Sequence, residues 1–246
     1  MTCVVLAAGY GTNLYPLTEN FPKPLLEFNG KTILDWLLDD IDNSEAINRY
    51  AVISNHFFVE RFEEWAAEKQ LSAPIDILDD GTETNDTRLG AVIDIQFAIE
   101  ELRLSDDLLV IAGDNLPEFS ICGFIDYFYS KRHTCVMRCF EDDFKALTRS
   151  CVVDFTQDDR VLSIENPSEN PKTNWSVPPM YIYAKNDIRL VEKSITSGEN
   201  TDAPESFIKW LCKRTPVYAM KMHGKTYDIG DINSYSHAQK CYNGVK

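Results

Sequence analysis

A short apolar run, Cys3-Val4-Val5-Leu6, empties into the small-residue turn Ala7-Ala8-Gly9-Tyr10-Gly11, and the stretch that follows closes on Pro22-Lys23-Pro24. This segment constrains the fold more than any other. Glycines at 9 and 11 permit positive φ and let a ligand approach the backbone closely. Successive amides in such a turn form an anion-binding nest, and Lys23, held between two prolines, presents a fixed cation to the same place. That combination suits a polyphosphate. A dinucleotide fingerprint would need a third glycine where Leu14 stands, and no Gly-Lys-Ser/Thr of a P-loop is present.

The run at 3–6 opens an alternation of strand and helix patterns. Apolar strand patterns recur at 50–54, 74–78 and 107–112, and helical stripes at 33–41, 57–69 and 88–102. Strands spaced by such helices predict an α/β fold, a three-layer sheet with right-handed crossovers. The second half reads as richer in strands, at 134–140, 150–155, 160–165, 177–184 and 216–221, with helices near 186–197, 204–212 and 232–242. Residues 166–174 read as a loop, and no segment reads as an interdomain linker, so one domain is expected.

Gly113-Asp114-Asn115 falls at the end of the strand at 107–112, where open α/β sheets bind ligands. A carboxylate facing a triphosphate there is a natural Mg²⁺ ligand, although turn chemistry also favours Gly-Asp after a strand. Tyr227-Asp228-Ile229-Gly230 offers a second carboxylate just before a helix, where dipole chemistry is the alternative.

With 246 residues and a net charge of −15, a nucleic-acid or anionic-membrane partner is not expected, since little would neutralise their phosphates. A triphosphate would have to be drawn in by a few placed cations, amides and a divalent metal. Seven cysteines without a C-x-x-C pair read as free thiols in a reducing compartment. No cationic leader or long apolar run is apparent, which predicts a cytoplasmic protein. The four histidines are isolated in sequence, and no Ser/His/Asp or Cys/His constellation suggests a side-chain nucleophile.

Residues 6–24 closely resemble the signature of the sugar-phosphate nucleotidylyltransferases, roughly L-A-A/G-G-x-G-T-R-L-x-P-L-T and then P-K-P-L, with Asn13 in place of the arginine. The resemblance spans residues 2–242. It implies a Rossmann-like α/β/α sandwich with a mixed central sheet, a nucleotide-binding half at 1–118 and a β-rich sugar-binding half at 119–246. The implied reaction joins a nucleoside triphosphate and a sugar 1-phosphate into an NDP-sugar and pyrophosphate, with Mg²⁺ as cofactor. A homo-oligomer is compatible with it.

On the same resemblance Lys23, Asp114 and Asp228 are catalytic, and the two aspartates hold the metal. Leu6, Ala8, Gly9, Gly11, Thr12, Asn13, Thr87 and Arg88 bind the nucleotide, with a pyrimidine preferred. Asn115, Glu165 and Asn166 bind the sugar phosphate. Ile164-Glu165-Asn166-Pro167 resembles the family's E-K-P element, with Asn166 replacing the lysine. Asn13 and Asn166 thus remove two cations, for which Arg88, Lys145 and Lys172 are candidate substitutes. A nucleotide-sugar sensor without turnover, or a cytidylyltransferase for phosphocholine, are the alternatives.

Overall fold

The computed structural model describes residues 1–245. Its strands are β1 (Thr2–Leu6), β2 (Glu27–Phe28), β3 (Lys31–Thr32), β4 (Arg49–Ser54), β5 (Ile75–Asp79), β6 (Leu108–Ala112), β7 (Asn115–Pro117), β8 (Cys135–Phe140), β9 (Val152–Phe155), β10 (Val161–Glu165), β11 (Trp175–Ser176), β12 (Met180–Tyr183), β13 (Tyr218–Met222) and β14 (Thr226–Asp228). The helices are α1 (Ile33–Asp42), α2 (Val59–Glu68), α3 (Ala91–Glu101), α4 (Cys122–Lys131), α5 (Phe144–Leu147), α6 (Lys185–Ile188), α7 (Val191–Thr196), α8 (Glu205–Leu211) and α9 (Ile232–Cys241). None is long and apolar enough to cross a membrane.

One mixed sheet runs in the order β10-β9-β11-β8-β12-β6-β1-β4-β5, with β13 also paired to β8. Strands β6, β1, β4 and β5 are parallel. Their near-continuous apolar sequences follow from burial on both faces. Alternate side chains then divide between two cores. Cys3, Val5, Val52 and Ile111 join α1, α4 and α9, whereas Val4, Ala51, Ile53 and Val110 join α3 and α8. The result is the expected three-layer α/β/α architecture.

Strand β12 enters antiparallel between β6 and β8 and so carries the second half of the chain into the same sheet. A small ladder, β7 with β14, sets Asp228 opposite Asn115. Three loops leave the carboxyl edge of the parallel strands together: 7–11 after β1, Asp80 after β5, and Gly113-Asp114 after β6.

The boundaries differ from the sequence reading in particular places. The helix expected at 88–102 starts at Ala91, because Gly90 caps it at φ +96°. The strand expected at 177–184 is shortened to β12, because Pro178-Pro179 supply no amide to a ladder, and the two-residue β11 forms just ahead of it. The helix expected at 186–197 is the broken pair α6 and α7. Helix α4 falls in a stretch read without structure.

Candidate active site

The turn after β1 is fixed from several sides. Ala7 donates its amide to Ile53 carbonyl, and the fully buried Asn55 donates from Nδ2 to Ala8 carbonyl at 2.9 Å. Gly11 adopts φ +61°, a left-handed conformation open to glycine, and its carbonyl accepts from the buried Thr18 hydroxyl at 2.7 Å. Gly9 lies outside the left-handed region, contrary to the sequence reading, and its missing Cβ leaves open space. Among the described residues, the amides of Gly9, Tyr10, Gly11 and Thr12 meet no backbone or side-chain acceptor. A tight turn with several unspent donors is an anion nest.

Opposite that nest, Lys23 Nζ lies 2.5 Å from Asp114 Oδ2, with both side chains largely covered. Pro22 and Pro24 flank Lys23 in a single 3₁₀ turn, which limits where the ammonium can go. Asn115 donates to the second Asp114 oxygen at 2.8 Å. The β7–β14 ladder and the Ile229 amide, which donates to the Asp114 carbonyl at 3.0 Å, bring Asp228 beside this pair. Burial first, and then the charge of Asp114, push the Asp228 carboxyl above the usual carboxylate range. A buried carboxyl that feels the charge of a second one favours a cation nearby. Among the described residues, no three His, Cys, Asp or Glu side chains gather to hold an ion alone. A Mg²⁺ that takes only one or two carboxylates and completes its shell with phosphate oxygens and water fits this donor set.

Two cavities are lined by residues of this region. The first, about 290 Å³, is walled by Leu6, Ala8, Gly9, Gly11, Lys23, Arg88 and Asp114, and reaches Asp80, Asp94 and Asp202 at its far end. The second, about 490 Å³, holds Asn115 and Asp228 together with Arg149, Lys225 and Glu205. Asp114 and Asn115, consecutive in sequence, stand one in each. The candidate residues are therefore divided between two cavities, with Lys23 and Asp114 in the wall of the first and Asn115 and Asp228 in the wall of the second.

Five of the candidate residues lie outside both walls. Thr12 and Asn13 are exposed in the 3₁₀ turn after Gly11. Thr87 is exposed and exchanges hydrogen bonds with Thr84. Glu165 closes β10, where Lys172 Nζ pairs with its Oε1, and Asn166 Oδ1 accepts from Lys209 Nζ. Cations thus stand beside both members of the Glu165-Asn166 element. Lys209 had no sequence signal, because it arrives from α8, 43 residues on. Arg88 does line the first cavity, but its Nε and Nη2 are engaged by Asp202 at 3.0 and 3.2 Å. Lys145 sits in the short α5, outside both cavities.

A family model for nucleotidyl transferases matches residues 2–244. The glucose-1-phosphate adenylyltransferase of Fervidobacterium nodosum is 25% identical over 246 aligned residues, covering 94% of this chain and 59% of the relative. The bifunctional protein GlmU of Methanocaldococcus jannaschii is 25% identical over 232 residues, covering 94% and 51%. The chain thus spans little more than half the length of these curated relatives. In fold it is similar to UDP-glucose pyrophosphorylase crystallised with UDP-glucose, at a TM-score of 0.81, 17% identity, and coverage of 98% of this chain and 97% of that one. The apo form of a UDP-glucose pyrophosphorylase superposes equally well, at a TM-score of 0.82 and 17% identity. With a family model matched across almost all of its length, the chain belongs to the nucleotidyl transferase family.

Proposed function

We propose that this protein transfers a nucleotidyl group from a nucleoside triphosphate to a sugar 1-phosphate, releasing pyrophosphate and forming an NDP-sugar. The observation that carries the reading is the Lys23–Asp114 pair in the wall of the first cavity, with Asp228 beside it and a nest of unspent amides in the same wall. The first cavity takes the nucleotide and the second the sugar phosphate, so that residues 1–118 and 119–246 divide the two substrates between them, apart from Asp202 and Pro204 in the first cavity and Asn115 in the second.

Transfer needs the sugar-phosphate oxygen to attack the α-phosphorus in line, with pyrophosphate as leaving group. No side chain has to become a nucleophile; positioning and charge stabilisation suffice. The nest amides bind phosphate oxygens, and Lys23 exchanges its contact with Asp114 for one with the phosphates. Bound between Asp114 and Asp228, Mg²⁺ would neutralise phosphate oxygens. In the second cavity Arg149 and Lys225 supply positive charge, and outside its wall Lys209 and Lys172 stand beside Asn166 and Glu165 to supply the charge that Asn166 lacks.

The rival reading, a nucleotide-sugar sensor, rests on Asn13, which stands exposed with no cation in its place. Pyrophosphate release from pooled sugar 1-phosphates and triphosphates separates the two. The native protein is expected to turn over, and Asp114→Ala to lose at least about 10²-fold in rate. If only the double variant Asn13→Arg, Asn166→Lys releases pyrophosphate, the sensor reading replaces this one.

A further inference from the structure

In the wall of the first cavity two carboxylates each keep one buried oxygen without a hydrogen-bond partner. Asp94 lies one turn into α3 and is only 6% exposed, and its Oδ1 is buried with no hydrogen-bond partner. Asp80, just past β5, is oriented rather than loose. Its Oδ1 accepts from the Thr82 amide and hydroxyl, both at 2.7 Å, and Tyr10 of the glycine turn holds Thr82 Oγ1 at 3.2 Å. That fixes Asp80 Oδ2, which is also buried and unpartnered. Both residues line the cavity.

Leaving buried polar atoms unpaired is costly, so two such atoms in one cavity wall call for hydrogen-bond donors from within the cavity. The other charges in this wall do not satisfy them. Arg88 is engaged by Asp202, which adds a third acid, and Asp79 stands next to Asp80. Lys23 is occupied by Asp114 at the opposite end.

The position of the two acids says which part of a ligand meets them. Strands β6, β1, β4 and β5 are consecutive neighbours, so Asp114 and Asp80 leave strand ends three spacings apart, about 14 Å. With phosphates at the glycine turn and Lys23, the base edge of a nucleotide reaches Asp80 and Asp94. Resting on the nucleotidyl-transfer reading above, we infer that Asp80 and Asp94 select a nucleobase bearing an exocyclic amino group and reject uracil and thymine.

An ionised carboxylate only accepts hydrogen bonds. Adenine and cytosine present an amino group with two N–H donors, and guanine adds a ring N–H beside its own. Uracil and thymine offer one ring N–H flanked by two carbonyl oxygens, which would face the carboxylates in mutual repulsion. Sites built to hydrogen-bond one edge reject its analogue strongly, because the site's own buried groups are then left unpaired. Burial, and next the charge of Asp80, push the Asp94 carboxyl up to about 7. Amino donors would draw it back to the ionised form.

The test is equilibrium binding of ATP, CTP, GTP, UTP and dTTP, each with Mg²⁺, to the native protein and to Asp94→Asn and Asp80→Asn. The best amino-bearing triphosphate is expected to bind at least about tenfold tighter than UTP and dTTP. Asp94→Asn, whose amide can donate to a carbonyl, is expected to close or invert that gap while the variant remains folded. Native binding of UTP or dTTP as tight as the best amino-bearing triphosphate overturns the inference and leaves nucleotidyl transfer standing. An unchanged ranking in both folded variants overturns it as well. No binding of any triphosphate would overturn both.

Discussion

A single ionisable side chain carries much of the stability argument at the residue scale. Asp94 holds a carboxyl raised from 3.8 to about 7, so the folded state binds a proton that the unfolded chain releases above pH 4. Stability therefore falls as pH climbs from about 4 through 7. Asp94→Asn removes that penalty. Its melting temperature should match the native one near pH 4 and exceed it by pH 8, by an amount equivalent to the order of 2–4 kcal/mol. Thermal unfolding at both pH values checks this, and a pH-independent difference would contradict it. Lys209 makes a second prediction. If it supplies the charge missing at Asn166, Lys209→Ala should raise the KM for sugar 1-phosphate by about tenfold, with little change in the KM for nucleotide. Steady-state kinetics against each substrate separates these. The glycine turn, Lys23, Asp114 and Asp228 were all legible in the sequence, because each belongs to a local pattern. Asn55, Asp80, Asp94 and Lys209 were not, because their roles come from side chains meeting across distant loops.

Elements were legible where one periodicity dominates. Strands β1, β4, β5 and β6 and helices α1, α2 and α9 lie within a few residues of their expected limits. Helix α4 escaped because Gly123 and a run of aromatic residues weaken its local propensity, while Phe124, Ile125 and Phe128 still bury one face. The β7–β14 ladder, which sets Asp228 beside Asp114, pairs three residues with three more than 100 positions away, and no local pattern encodes that. The start of α3 offers a test at this scale. Gly90 is at φ +96°, and a Cβ there would meet the Thr201 carbonyl oxygen at 2.7 Å. The Ala91 and Val92 amides also donate to the Asp202 and Thr201 carbonyls at 3.1 and 3.0 Å. Gly90→Ala should therefore cost about 1–3 kcal/mol and loosen the 201–204 wall of the first cavity. Denaturant unfolding gives the first quantity, and nucleotide affinity reports the second.

Taken as a whole, the molecule is acidic, with a net charge of −15, so on the proposed reading a polyanion is held by local design. Amides in the nest, Lys23 and a divalent ion held by Asp114 and Asp228 would accomplish that at short range, where a low-dielectric cavity strengthens each contact. Nucleotide without Mg²⁺ should accordingly stabilise the protein little. Nucleotide with Mg²⁺ at a hundred times its Kd should add about 2.7 kcal/mol, read as an upward shift of Tm that a chelator abolishes. The fold class was legible from alternation alone, whereas the division into two chambers depends on β12 and β14 crossing between the halves. The most direct test of the central claim follows phosphorus. ³¹P NMR of Mg²⁺, a pool of triphosphates and pooled sugar 1-phosphates should show NDP-sugar and pyrophosphate appearing in equal amounts with the native protein, and neither with Asp114→Ala. Triphosphate and sugar phosphate signals that stay unchanged with the native protein, while both ligands bind, would contradict the account.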